Sequence, residues 1–371
     1  MGNWRNGELG NFITLKRGFD LPQQKREDGQ VPIFSSSGIT GTHSTAMVNA
    51  PGVITGRYGT IGEVFYAAED FWPLNTTLFV EDFHGNDAEF IYYFLKTLEW
   101  SKFTSASAVP GINRNTVHKE TVSLPDIETQ RRIASTLSML DEKIKTNTEI
   151  NDNLELQAQA CFQELFVDNA DPEWAIGTIS DLGAVVGGST PSKAKPEYYT
   201  ETGIAWITPK DLSVNKSKFI SHGENDITEL GLKNSSATIM PEGTVLFSSR
   251  APIGYIAVAV GEVTTNQGFK SIVPKPEIGT AFVYYFLKHN LPIIEGMASG
   301  STFKEVSGST MKGVPAVIPD TDTITRFNDF CSPIFAQQRI LEEQNQSLAA
   351  LRDNLLPKLM SGEIDFSAVQ L

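Results

Sequence analysis

Phe90-Ile91-Tyr92-Tyr93-Phe94-Leu95-Lys96 returns 192 residues later as Phe282-Val283-Tyr284-Tyr285-Phe286-Leu287-Lys288, changed at a single position. Self-similarity at so long a spacing fixes architecture before any local reading. Two further echoes keep nearly the same spacing. Gly56-Arg57-Tyr58-Gly59-Thr60-Ile61-Gly62 is answered by Ser249-Arg250-Ala251-Pro252-Ile253-Gly254, and the neighbourhood of Asn75 by that of Asn266. Upstream, Trp4 with Leu9-Gly10 parallels Trp174 with Leu182-Gly183 at a spacing nearer 170, so the second copy carries an extra segment within Ile207 to Thr244. The chain is a tandem pseudo-repeat with one copy enlarged.

Within each copy, short β-branched and aromatic runs such as Val53-Ile54-Thr55-Gly56 and Val245-Leu246-Phe247-Ser248 are punctuated by Gly, Pro, Asn and Ser, and predict strands with tight turns. Each copy then changes character. From Asp126 to Phe166, Ile133, Leu137, Leu140, Ile144, Leu154, Cys161 and Leu165 keep alternating steps of four and three through Asn147, Asn151 and Ala158. Phe327, Phe330, Ile334, Leu341, Leu348, Leu351 and Leu355 do the same, with Gln337 and Gln344 at polar seam positions. Both patterns predict coiled-coil helices. About 40 residues at roughly 1.5 Å each make a helix about 60 Å long. Periodicity is also compatible with each helix packing on its own globule, but polar seam residues favour a specific helix partner, because they cost stability and fix register. The expected fold is α+β: globules at 1–125 and 171–320, a central helix at 126–170 and a C-terminal helix at 321–371. Antiparallel pairing of the helices would set the globules at opposite ends.

With 371 residues, 40% hydrophobic and 20% charged, the chain can bury two ordinary cores, which excludes a peptide, a fibre and a disordered tail. No apolar run approaches the roughly 18 residues of a membrane span, and Met1 to Asp20 has neither a basic start nor an apolar signal core. A cytoplasmic protein without membrane association is expected. Cys161 and Cys331 fall inside helical patterns and read as packing thiols. The net charge of -14 argues at face value against a nucleic-acid partner. Mapping the charge reverses that. Residues 1–125 hold 10 basic and 13 acidic side chains and 174–319 hold 12 of each, against 4 and 11 in 126–173 and 4 and 8 in 320–371. The acidity lies mainly in the helical parts.

Basic residues cluster in both globules, at Lys16, Arg17, Lys25 and Arg26 in the first and at Lys193, Lys195, Lys210, Lys216 and Lys218 in the second. Such clusters track phosphates; any single lysine is equally at home on a solvated loop. Ser35, Ser36 and Ser37, followed by Gly38, offer small hydroxyl groups and exposed backbone donors. No phosphate-binding G-x-x-x-x-G-K-[ST] loop occurs. Arg57, with Tyr58 beside it, and Arg250 follow predicted strands, where a guanidinium reaches a phosphate or a guanine edge, or else braces its own turn. Ser105-Ala106-Ser107 leading to Asn113-Arg114-Asn115, and Ser299-Gly300-Ser301-Thr302-Phe303-Lys304, are rich in groups that bond bases or cap loops. Tyr92, Tyr93, Tyr284 and Tyr285 read as core. His43, His84, His118, His222 and His289 lack ligand or triad spacing, and neither G-x-S-x-G, H-E-x-x-H nor a methyltransferase cofactor loop is present.

Thr190-Pro191-Ser192, Trp206-Ile207-Thr208-Pro209-Lys210-Asp211-Leu212, Thr265-Asn266-Gln267-Gly268-Phe269-Lys270, Leu140-Asp141-Glu142-Lys143-Ile144 and Leu351-Arg352-Asp353-Asn354-Leu355-Leu356-Pro357-Lys358-Leu359-Met360-Ser361-Gly362-Glu363-Ile364 carry a resemblance to the specificity subunits of type I restriction-modification systems. The last segment is the most specific. The resemblance covers essentially the whole chain, and implies two target recognition domains, each reading half of a split double-stranded DNA site, with the two helices as a ruler. It implies two methyltransferase subunits and restriction/translocase subunits as partners. S-adenosylmethionine, ATP and Mg would belong to those partners, and this chain would bind no cofactor or metal and catalyse nothing. Half-sites read from one face of the duplex would lie about one helical turn, roughly 34 Å, apart. Lys270 closes the second of the Asn turns, whose fuller form the first copy replaces with Leu74-Asn75-Thr76-Thr77. Alternatives are the recognition chain of another bipartite restriction system and a tandem-repeat protein-interaction scaffold.

Overall fold

A computed structural model describes residues 4–104, 110–250, 252–300 and 304–364. The chain divides into two compact units, one of residues 1–145 and 346–371 and the other of 146–345. Both divisions fall inside the long helices, Ile127–Gln163 and Thr321–Ser361, so each unit combines one globule with part of each helix.

The first unit contains β1 (Arg5–Glu8), β2 (Thr14–Arg17), β3 (Val31–Ser35), β4 (Gly38–His43), β5 (Gly52–Gly56), β6 (Val64–Ala67), β7 (Trp72–Pro73), β8 (Thr77–Asp82) and β9 (Thr121–Leu124). They form sheets of order β2-β8-β5-β6, β4-β3-β7 and β1-β9. All five residues of β5 are buried, which explains its continuous rather than alternating apolar pattern. The helix Ala88–Lys96 packs its Phe90, Ile91, Phe94 and Leu95 on this sheet and is capped by Asp87, which accepts from the Phe90 amide at 2.9 Å.

The second unit contains β10 (Ala175–Thr178), β11 (Gly183–Gly187), β12 (Tyr199–Thr200), β13 (Ile204–Ile207), β14 (Phe219–Ile220), β15 (Asn225–Ile227), β16 (Val245–Ser249), β17 (Ile253–Ala259), β18 (Thr264–Thr265), β19 (Lys270–Pro274) and β20 (Pro315–Ile318). Its sheets run β11-β19-β16-β17-β14, β12-β15-β13-β18 and β10-β20. Apart from the added strands β12 and β14 this repeats the first unit, down to the parallel pairing of β13 with β18, as of β3 with β7. The expected enlargement lies where the sequence places it: the helices Pro209–Val214 and Glu229–Lys233 and strand β14 fall within 207–244. β14 adds a fifth strand, parallel to β17.

Both long helices start at a Pro-Asp pair. Asp126 accepts from the Thr129 amide at 2.9 Å and Asp320 from the Thr323 amide at 2.8 Å. The first helix passes into a π-helical turn, Glu164–Asp168, and the second ends before Gly362, whose φ of +76° suits the left-handed residue that closes a helix. Side-chain pairs inside each unit show the helices antiparallel. In the first unit Arg352 meets Asp141 at 2.5 Å; in the second Asn147 donates to Asn345 at 2.9 Å and Asn151 to Glu342 at 3.3 Å. The first helix has the expected seam, with Ile133, Leu137, Asn147 and Ala158 buried.

The seam of the second helix differs at alternate positions. Phe330 and Leu351 are 43% and 47% exposed, and Gln337 faces solvent, while Cys331 and Gln338 are buried and Asn345 and Arg352 partly so. Steps of three and of four from Phe327, Ile334, Leu341 and Leu348 both reach the same helix side, and hydrophobicity alone favours Phe330 and Leu351. The observed phase instead places polar groups against partners, although Gln344 still accepts from Asn147 at 3.3 Å. Leu359→Ala, at a fully buried position, is expected to cost about 3 kcal/mol in chemical denaturation. Leu351→Ala should stay within about 0.5 kcal/mol, and equal losses would restore the phase expected from sequence.

Candidate nucleic-acid interface

In the first unit, Lys16 and Arg17 on β2, Arg57 and Tyr58 after β5, and the segment Gly111–Asn115 line one cleft of about 600 Å³. Six residues singled out from sequence thus converge: Lys16, Arg17, Arg57, Tyr58, Asn113 and Arg114. The Arg57 guanidinium lies 4.5 Å from the centre of the Tyr58 ring, and among the described residues it has no carboxylate partner. Gly111 makes that geometry possible, because a Cβ there would sit 2.1 Å from the Tyr58 ring. Lys16 pairs with Glu81 and Arg17 with Asp20 at 3.4 Å, both exposed and weak. Asn113 caps the helix Arg114–His118 by accepting from the Asn115 amide at 3.0 Å, so its carbonyl oxygen serves the fold, while Arg114 projects from the first turn into solvent. His118 ties this helix to β2 by accepting from the Leu15 amide at 2.8 Å; burial, then Arg114 and His84, lower its pKa, consistent with a neutral acceptor.

Other expected residues lie outside this cleft. Arg26 donates to the Thr40 carbonyl at 3.1 Å, bracing β4, and Lys25 is exposed on the short turn before it. Ser35 donates to the Gly38 carbonyl at 3.0 Å and accepts from the Ser37 amide at 3.2 Å, holding its own hairpin turn. Ser36 lies beside Gly59, next to the Arg57 turn.

A cleft of the second unit, about 740 Å³, shares the arginine turn but opens on other elements: it is lined by Thr190, Lys193, Tyr199, Trp206, Lys210, Glu224, Arg250 and the Asn266-Gln267-Gly268 turn, among others. That turn is rigid. The Asn266 side chain accepts from the Gly268 amide at 2.8 Å, and the Gly268 carbonyl accepts from the Ser249 amide at 2.7 Å and its hydroxyl at 3.1 Å. A Cβ on Gly188 would sit 2.0 Å from the Asn266 carbonyl oxygen, and Gly18 crowds Leu74 in the first unit in the same way. Trp206 donates to the Ser189 carbonyl at 3.0 Å and meets Tyr199 edge to face. The helix carrying Lys210 starts with a capping box of Thr208 and Asp211.

Here the cations are partly neutralised. Glu305 lies 3.7 Å from Arg250 and 3.6 Å from Lys270, and Glu224 pairs with Lys210 at 2.6 Å, raising the Lys210 pKa by that hydrogen bond and charge. Sequence reading did not pick out Glu305, Glu224, Tyr199 or the role of Trp206; acids spaced 55 and 14 residues from their basic partners leave no local signal. Lys193 and Lys304 are exposed, Lys216 lines a separate small cavity, and Ser301, with Ser105-Ala106-Ser107, lies outside the described residues.

Lys218 corrects the sequence reading. It is 7% exposed, not on a phosphate-facing surface, and its ammonium contacts Glu155 at 2.5 Å, Gln338 at 2.7 Å and Tyr285 at 3.1 Å. Burial alone would raise the Glu155 carboxyl, but Lys218 and Lys288 override it and hold its pKa at about 2. The physical reason is that the enlarged segment needs an anchor: Glu342 accepts from the Lys218 and Phe219 amides at 2.9 and 3.0 Å, fastening β14 to the second long helix. Of the expected core tyrosines, Tyr93, Tyr284 and Tyr285 are buried and Tyr92 partly so. Among the described residues no helix is long and apolar enough to cross a membrane, and no His, Cys, Asp and Glu cluster suits a metal.

The family model for the type I restriction modification DNA specificity domain matches residues 1–156 and again 172–350. The chain is 39% identical over 191 residues to the specificity subunit of the type I restriction enzyme MjaIX of Methanocaldococcus jannaschii, covering 49% of this chain and 44% of that protein. It thus spans under half the length of that relative. It is 25% identical over 357 residues to the HindI specificity subunit of Haemophilus influenzae, covering 74% of this chain and 77% of the relative. Its fold is similar to the crystal structure of an S subunit from M. genitalium, with a TM-score of 0.68 at 18% identity, covering 97% of this chain and 96% of the other. Glu305→Ala, which frees Arg250 and Lys270, is expected to raise the salt concentration at which the protein leaves a heparin column. An unchanged or earlier elution would mean that this cleft does not face polyanions.

Proposed function

Because the chain belongs to the type I restriction-modification DNA specificity family, we propose that it reads a split double-stranded DNA target and performs no chemistry itself. The observation that carries this reading is the arginine turn that the repeat places at a cleft in each unit. Equivalent strands and turns place Arg57 in one unit and Arg250 in the other, in mouths lined by different side chains. Two unlike clefts on one repeated frame suit two unlike half-sites. Arginine suits the task because its planar fork bonds phosphate oxygens or the two acceptors of a guanine edge. The exposed cations around it, such as Arg114 and Lys193, would meet phosphates and supply affinity without sequence information.

Binding energy would be spent on placement. The chain would hold methyltransferase subunits over a target adenine, which they would flip from the duplex and methylate with S-adenosylmethionine. Restriction/translocase subunits, with ATP and Mg, would complete the complex. A cytoplasmic location follows from that role.

DNA affinity is expected to fall steeply and linearly in log salt, as counterion release requires. A nearly flat response in a titration by fluorescence anisotropy would remove the DNA assignment and favour a protein-interaction scaffold. Arg250→Ala should cost about 1 to 3 kcal/mol against targets intact in the second unit's half-site, and relax reading of that half alone. Equal loss at both halves would contradict modular reading.

A further inference from the structure

The two units treat one groove differently. In the second unit the chain fills it: β14 lies parallel to β17, with the Val258 amide donating to the Lys218 carbonyl at 2.7 Å and the Val260 amide to Ile220 at 3.0 Å. Lys218 sits 4.6 Å from the Tyr284 ring centre and 4.1 Å from that of Phe335, and Phe219 meets Phe335 edge to face.

The first unit lacks the enlargement that supplies this strand. There β6, the counterpart of β17, is the last strand of its sheet. Tyr66 stands opposite Val53 as Val258 stands opposite Val245, so the alternation of an antiparallel pair turns its amide away from β5. Beside it runs an open groove of about 670 Å³ walled by Tyr66, Tyr92 and Tyr93, the counterparts of Val258, Tyr284 and Tyr285. Lys96 lies 4.9 Å from the Tyr92 ring centre, as Lys288 lies near Tyr284; no counterpart of Lys218 is present among the described residues.

Charge separates the two grooves further. Glu89, Asp141 and Glu142 line the first where Ala281, Phe335 and Ala336 stand in the second, and Lys145 is the cation that lines it with them. Asp141 is held by the Tyr93 hydroxyl at 2.6 Å and by Arg352, while Glu89 lines the groove together with Glu142. Burial, then Asp87, pushes the Glu89 carboxyl above its ordinary value against the opposing Ser138 hydrogen bond, with Glu142 and Asp141 adding to the rise.

We propose that this groove receives an extended, lysine- or arginine-bearing segment of a partner polypeptide, which adds a parallel strand to β6 and lays its cation over Tyr92 and Tyr93 beside Glu89. The mode is strand addition at an open sheet edge, with side-chain pockets giving selectivity. The occupant's chemistry is the one that the second unit satisfies internally with Lys218-Phe219-Ile220.

The probe is a peptide of residues 215–221, Asn-Lys-Ser-Lys-Phe-Ile-Ser, titrated into the full chain and followed by amide hydrogen exchange. Saturable binding should slow exchange across Val64–Ala67 about tenfold and leave β17 unchanged, since β17 is already covered. Glu89→Lys should weaken binding about tenfold and Glu89→Gln less, and a peptide with glutamate in place of both lysines should not protect β6. Exchange at β6 that ignores the peptide, or protection that survives both Glu89 variants, overturns the proposal. So does protection of β6 by a single-stranded oligonucleotide in place of the peptide. The result stands apart from DNA reading and methyltransferase assembly, which the probe does not require.

Discussion

Neither globule can close its core with its own residues. In the first unit the sheet and the helix Ala88–Lys96 pack against Ile133 and Leu137 from one long helix and against Leu355, Leu356, Leu359 and Met360 from the other. In the second, Leu154, Ala158 and Phe162 join Ile324, Phe327, Cys331 and Ile334 around Phe282 and Tyr285. A fully buried Leu or Phe contributes about 1.5 to 3 kcal/mol, so each unit owes much of its stability to helical segments remote in sequence. The first globule is complete only when the last turns of the second helix are in place. Polar seam groups then fix which turns meet, since Asn147 donates to Asn345 and Asp141 pairs with Arg352 in a single register.

That shared frame frees the cleft mouths to differ. β2, β5 and β8 in one unit and β11, β16 and β19 in the other carry the same pairings, yet one mouth presents Arg57 stacked on Tyr58 and the other presents Arg250 restrained by Glu305. The enlargement in the second unit is fastened at its far side by Lys218 and Glu342, so added chain reshapes the surface without loosening the core. Under the proposed reading, recognition would change by altering loops over strands that stay fixed.

The repeat, both helices and the place of the enlargement were legible because repetition and heptad spacing are properties of the chain alone. The phase of the second seam was not read from hydrophobicity, since Phe330 and Leu351 outrank Cys331 and Arg352 on that scale. The repeat itself held the answer: Leu124-Pro125-Asp126 matches Ile318-Pro319-Asp320, and the same offset of 194 carries Ile133, Leu137, Leu140 and Ile144 onto Phe327, Cys331, Ile334 and Gln338. In the interface, basic residues near the repeated turns were found, but charge cannot say which lysine is buried. Lys216 and Lys218 look alike in sequence, yet Lys216 stays exposed before the strand while Lys218, whose carbonyl accepts from the Val258 amide of β17, lays its ammonium against Tyr284 and Tyr285. The neutralising acids Glu305 and Glu224 reach their partners only through the fold.

The central claim is that two units read two halves of one site for a partner enzyme. Its most direct test is methylation-sensitive long-read sequencing of DNA from a methylation-free host that expresses this chain with the methyltransferase encoded beside its gene. The account predicts N6-methyladenine in a split motif, two short specific halves around unread base pairs, that vanishes when this chain is omitted. A contiguous motif, or methylation that persists without the chain, would contradict it.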